Sequence, residues 1–170
     1  KLNLEDRPAD MTEWKEMVHK ILHPKQEITI ALVGKYVALH DAYISVAEAL
    51  GHAGIVEDTK VNIKWVDSEA VEAEGTDLAE VYKDVDGILV PGGFGCRGVE
   101  GKISTIQYAR EHKVPFLGIC LGMQTSVMEF ARSVLDMKGA TSTEFDESCQ
   151  FPVIDLMDDQ VDVDEKGGTM

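Results

Sequence analysis

The chain has 170 residues, enough for one domain with its own core and too few for two comfortable ones. Its net charge of −15 excludes nucleic acid or an anionic membrane as partners held by bulk electrostatics, and its 44% apolar content is ordinary for a globular protein. Three cysteines at irregular spacing (Cys96, Cys120 and Cys149) suggest neither a disulfide framework nor a zinc site, so a reducing cytoplasm fits best and no metal site is expected.

The opening KLNLEDRPAD reads as an arm or linker. Asp10 followed by Glu13 predicts a capping box, with aspartate in place of the usual hydroxyl residue. Trp14, Met17, Val18, Ile21 and Leu22 mark one apolar face of a short helix that stops at Pro24. Glu27 to Tyr36 is a strand rich in β-branched residues. Helical spacing follows through Tyr43, Val46, Ala47 and Leu50. Val61 to Asp67 is a second strand, Asp77 to Val85 a short helix, and Asp86 to Val90 a third strand.

That third strand runs into PGGFG, Pro91 to Gly95. Gly92, Gly93 and Gly95 leave backbone N–H groups free to point into a site, at the strand end where ligands bind in open α/β sheets. Alone the motif is a tight turn; it resembles a phosphate loop but lacks that loop's lysine and hydroxyl. Ile103, Ile106, Tyr108 and Ala109 support the next helix.

Val114, Phe116, Leu117 and Ile119 then read as a buried strand started by Pro115, and Met123, Val127, Phe130, Ala131 and Val134 recur at helical spacing after it. Cys120 falls at the corner between the two, flanked by Gly118 and Gly122. This G-x-C-x-G arrangement is the cysteine counterpart of the nucleophile elbow. A thiol there faces the positive end of a helix, which favours the reactive thiolate. A buried cysteine serving as a small hydrophobe is the commoner fate of the residue, but the paired glycines weigh against it. The Gly93 and Leu121 N–H groups are placed to hold a tetrahedral oxyanion, and losing such a donor costs roughly 3–4 kcal/mol of barrier lowering. Gln150 to Met157 reads as a further strand and the acidic remainder as a solvated loop. The β-α repeat implies a doubly wound parallel sheet with helices on both faces.

The paired motifs resemble those of the class I glutamine amidotransferases. The likeness extends to the glutaminase domain of the CTP synthase family through GKYVALHDAYISVAEAL (Gly34 to Leu50), PGGFGCRGVEGKI (Pro91 to Ile103), GICLGMQ (Gly118 to Gln124), STEF (Ser142 to Phe145) and GGTM (Gly167 to Met170). The resemblance implies a flavodoxin-like fold, with residues 1–25 a linker and short helix following a synthetase domain and residues 26–170 an amidotransferase domain lacking its C-terminal part.

It also implies roles by position. Cys120 attacks the glutamine amide and forms a thioester, and Gly93 with Leu121 makes the oxyanion site. Gly93, Leu121, Gly122, Met123, Gln124 and Glu144 bind glutamine, with Glu144 meeting the substrate α-amino group. Arg97 serves GTP activation or ammonia hand-over, with a plain surface cation the equal alternative. ATP and Mg²⁺ belong to the synthetase domain, GTP is an allosteric effector, and the intact protein is a cytoplasmic homo-tetramer; this domain itself needs no cofactor.

The family takes its base from an H-x-E pair downstream of the cysteine. Here His19, His23, His40, His52 and His112 all precede Cys120, and none lies in such a pair. The expectation is therefore an incomplete glutaminase domain that does not turn over glutamine by itself. Two other readings keep the same residues: a class I amidotransferase of another pathway, and a regulatory module that retains the fold without the chemistry.

Overall fold

A computed structural model describes residues 8–157; the opening arm, the acidic tail and GGTM fall wholly or largely outside that span. Four parallel strands form the main sheet: β1 (Gln26–Gly34), β2 (Thr59–Asp67), β3 (Gly87–Val90) and β4 (Phe116–Gly118), in the order β2-β1-β3-β4. Alternation along the strands sorts their side chains onto two faces. Leu32 and Leu89 meet Tyr43, Val46 and Leu50 on one side, against helix α2 (Ile44–Val56). Ala31, Val33, Ile88 and Val90 point the other way, toward Val71, Tyr82, Ile106 and Ala109. Those residues come from α3 (Ser68–Glu72), the end of α4 (Leu78–Val81) and α5 (Val99–His112), and α6 (Leu121–Ser133) packs beside α5. The expected sheet with helices on both faces is what forms.

The chain runs outward from β1 to β2, then crosses back over β1 to β3, so strand order reverses between β1 and β3. Loops leaving the carboxyl ends of those two strands open a crevice, and the corner after β4 lies at the same edge.

Several elements differ from expectation. The first helix, α1 (Thr12–Leu22), begins one residue later than the capping box requires. Glu13 is then misplaced to reach back, and Asp10 instead accepts from the Thr12 backbone N–H at 3.0 Å and its hydroxyl at 2.7 Å. No residue of α1 is buried. Helix α2 runs on through Gly51 and Gly54 to Val56. Helix α4 is only four residues long, capped by Asp77, while α3 is an additional helix whose first turn is capped by Asp67. The Gln150–Met157 strand shrinks to β6 (Pro152–Ile154), which pairs with β5 (Thr141–Ser142) in a separate two-stranded sheet.

The strand before Cys120 is not the buried strand its apolar run suggests. Among the described residues it is bonded only to β3, and Leu117 and Ile119 are exposed. Helix α6 has the expected period, with its apolar stripe largely outward. Leu121, Gly122, Thr125, Met128 and Glu129 face inward, while Met123, Val127, Phe130 and Val134 are exposed and only Ala131 of the expected set is buried.

Candidate active site

Cys120 stands between β4 and α6 with φ 52° and ψ −109°, a left-handed-side conformation that side chains rarely adopt. Its neighbours show why the corner is so tight. A Cβ placed on Gly118 would lie 2.5 Å from the backbone of Gly122, and one placed on Gly122 would lie 2.0 Å from the Val90 carbonyl oxygen. Both positions therefore admit no side chain, and the helix start is drawn against the end of β3. The Ile119 N–H donates to the Val90 carbonyl at 2.9 Å, and the Gly122 N–H donates back to the Ile119 carbonyl at 2.9 Å. This bend lifts the thiol out of the sheet, and Cys120 is exposed.

The diglycine turn lies directly beside it. A Cβ placed on Gly92 would sit 3.4 Å from the Cys120 Cβ and 4.0 Å from its Sγ. Gly93 packs over Leu121, whose Cδ2 would be 3.6 Å from a Cβ at Gly93. Leu121 is the first residue of α6, so its N–H has no acceptor within the helix. Gln124, half-buried one turn on, donates its backbone N–H to the Cys120 carbonyl at 3.0 Å.

Glu144 reaches the same place from 49 residues away: its Oε1 accepts the Gly95 N–H at 3.1 Å. The turn that presents it is built on Ser142, which is buried; its carbonyl takes the Phe145 and Asp146 N–H groups and its hydroxyl takes the Glu144 N–H. Glu144, Glu147 and Asp155 line a cavity of about 710 Å³ together with Gln124 and Thr143. Three carboxylates around one cavity favour a cationic group there.

Arg97 points elsewhere, to Glu69 of α3 at 3.0 Å, with its guanidinium 5.8 Å from the Tyr36 ring centre. The histidines are also engaged away from Cys120. His19 and His23 lie ring to ring, His40 stacks on Trp65, His52 is 4.0 Å from Glu48, and His112 stacks on Tyr108 while its Nδ1 meets the Tyr108 carbonyl. Cys96 and Cys149 are free thiols, and among the described residues no cluster of three acidic, histidine or cysteine side chains could hold a metal ion.

Two lysines were not singled out by the sequence reading. Lys35, just after β1, donates from its ammonium to the Phe94 carbonyl and so ties the loops after β1 and β3 together. Lys102 is 1% exposed in the first turns of α5, and its Nζ would be 3.9 Å from a Cβ at Gly93. Burial, and to a lesser degree the Lys35 charge, pulls its pKa down to about 8. The available signal was its phase: Val99, Lys102, Ile106 and Ala109 share the inward stripe of α5.

Residues 38–159 match the family model described as glutamine amidotransferase class-I. The chain is 62% identical over 169 residues to a CTP synthase of Desulfitobacterium hafniense (strain Y51), covering 99% of this chain and 31% of that protein. It is 57% identical over 174 residues to a CTP synthase of Methanocaldococcus jannaschii, covering all of this chain and 32% of the relative. The chain thus spans about a third of the length of the curated relatives it matches. Among solved structures, the glutaminase domain of Trypanosoma brucei CTPS with bound acivicin is similar at a TM-score of 0.72 and 41% identity, over 77% of this chain and 50% of that one.

Proposed function

This chain belongs to the glutamine amidotransferase class-I family, and from that premise we propose that it is the glutamine-hydrolysing portion of a CTP-forming enzyme. The observation that carries the reading is the exposed Cys120 thiol on its strained corner, with the position of a Gly92 Cβ 4.0 Å from the sulfur. The kinship to CTP synthases over the whole chain supports it independently.

In this reading the Cys120 thiolate attacks the side-chain amide carbon of L-glutamine. The carbonyl oxygen becomes negative where the Gly93 and Leu121 N–H groups converge. The carbon–nitrogen bond then breaks, nitrogen leaves with a proton as ammonia, and a glutamyl thioester remains. Water cleaves the thioester, releasing glutamate and restoring the thiol. Gly93, Leu121, Gly122, Met123, Gln124 and Glu144 hold the substrate, and the acidic cavity beside Gln124 suits its α-ammonium group. Arg97 is assigned to the effector response or to ammonia hand-over.

Residues 26–170 form the glutaminase portion and residues 1–25 the link to a synthetase domain. There ATP and Mg²⁺ activate UTP for amination to CTP, with GTP as effector, in a cytoplasmic tetramer. Among the described residues no helix is long and apolar enough to cross a membrane.

The test is Cys120→Ala in the complete enzyme. Glutamine-dependent CTP formation should fall by about 10³-fold or more, while formation from added ammonia stays within about twofold of the parent. Equal loss of both activities, or survival of the glutamine-dependent one, would overturn the assignment of the nucleophile.

A further inference from the structure

Lys102 is the least explained charged group of the molecule. Its side chain is almost wholly buried, and among the described residues its ammonium has no hydrogen-bond or ion-pair partner. The stem is packed while the nitrogen keeps a small opening to solvent: among the described residues Ser68 Oγ is the one fully enclosed side-chain polar atom without a partner. The diglycine turn lies beside it, since Nζ comes within 3.9 Å of where a Gly93 Cβ would be.

We propose that Lys102 is a positioning residue for the reaction at Cys120: its ammonium lies against the Gly92–Gly93 turn and supplies fixed positive charge where the tetrahedral oxygen becomes negative. The proposal rests on the assignment of Cys120 and Gly93 above. A charge already in place on a packed stem acts on a developing oxyanion without reorganising when that charge appears. The charged and titratable groups on the neighbouring segments are these. Lys35 follows β1, Cys120 opens α6, Arg97 precedes α5, and Glu144 is bonded to Gly95. From α3, Glu69 is taken up by Arg97, leaving Glu72 as that helix's other acid. Of these charges Lys35 is the one that perturbs Lys102, and it does so in the same direction as burial.

The experiment compares two alkylating agents on the full chain across pH. A glutamine-shaped chloroketone places a carbonyl at the oxyanion position, whereas iodoacetamide reports only on the thiolate. Their rate ratio at Cys120 cancels ionisation of the sulfur. The ratio should fall about tenfold between pH 7 and pH 9.5 as the ammonium is neutralised, with a midpoint near 8. Lys102→Met should show the low ratio at every pH, and Lys102→Arg should hold a high ratio with no fall over the same range. A flat ratio in the parent protein, or equal ratios in the parent and Lys102→Met, overturns the role of Lys102. The parent profile decides the matter even if a variant folds poorly. If the chloroketone does not prefer Cys120 to Cys96 and Cys149, it is the glutaminase reading itself that fails.

Discussion

Cys120 holds φ 52°, a value that costs a residue with a side chain roughly 1–3 kcal/mol and that glycine adopts freely. Strain at this residue aims the sulfur at the diglycine turn, so stability and reactivity are opposed at one position. Cys120→Gly should therefore raise the unfolding free energy by about 1 kcal/mol, as read from urea midpoints, while abolishing labelling by the chloroketone. A loss of stability would mean the corner is relaxed and the thiol's exposure has another cause. The elbow was readable in the sequence because all its parts lie within a few residues: a strand, two glycines and a helix start bracket Cys120. Glu144 and Lys102 were not equally readable. The bond from Glu144 to Gly95 closes a loop of 49 residues, and nothing in the local pattern shows which way the Lys102 ammonium points.

At the level of elements, glycines report how closely helices approach strands. A Cβ on Gly122 would meet the Val90 carbonyl at 2.0 Å, and backbone on backbone has nowhere to give; Gly51 of α2 has nothing within 4 Å. Gly122→Ala should cost about 3 kcal/mol or more, whereas Gly51→Ala should stabilise by about 0.5–1 kcal/mol through helix propensity alone, both measured by urea denaturation. Similar effects from the two changes would refute the close seating of α6 on β3. The same contact sets which face of α6 turns inward. Apolar spacing gives the period of a helix but not its rotation, and here the need to bring Gly122 against β3 turns Leu121, Thr125 and Met128 inward. Met123, Val127 and Phe130 are left outside. In the strand before Cys120, an apolar run expected to be buried has β3 as its one strand neighbour among the described residues, because sheet order follows from the crossovers and not from composition.

Across the whole molecule, two buried groups give stability an alkaline signature. Lys102 releases its proton near pH 8 when folded and at an ordinary value of 10.5 when unfolded. Between those values the unfolded chain holds more protons, so this group makes stability rise with pH. Tyr82 acts in the opposite sense: burial pushes its pKa from 10.0 up to about 12, so its contribution is lost above about pH 10. The window from about pH 8 to 10 thus belongs to Lys102. Urea midpoints should increase with pH there in the parent relative to Lys102→Met; parallel profiles would show that the ammonium is not buried in solution. The sequence by itself determined the parallel sheet, the two motifs at its carboxyl edge and the strand-to-helix corner that carries Cys120, since strand period, β-α alternation and glycine placement are local. Only the tertiary structure decided which strands neighbour one another, which way α6 faces and which distant groups, Glu144, Lys35 and Lys102, converge on the turn. Those outcomes depend on how whole elements pack in three dimensions, and a linear pattern carries the period of each element but not its orientation toward the others.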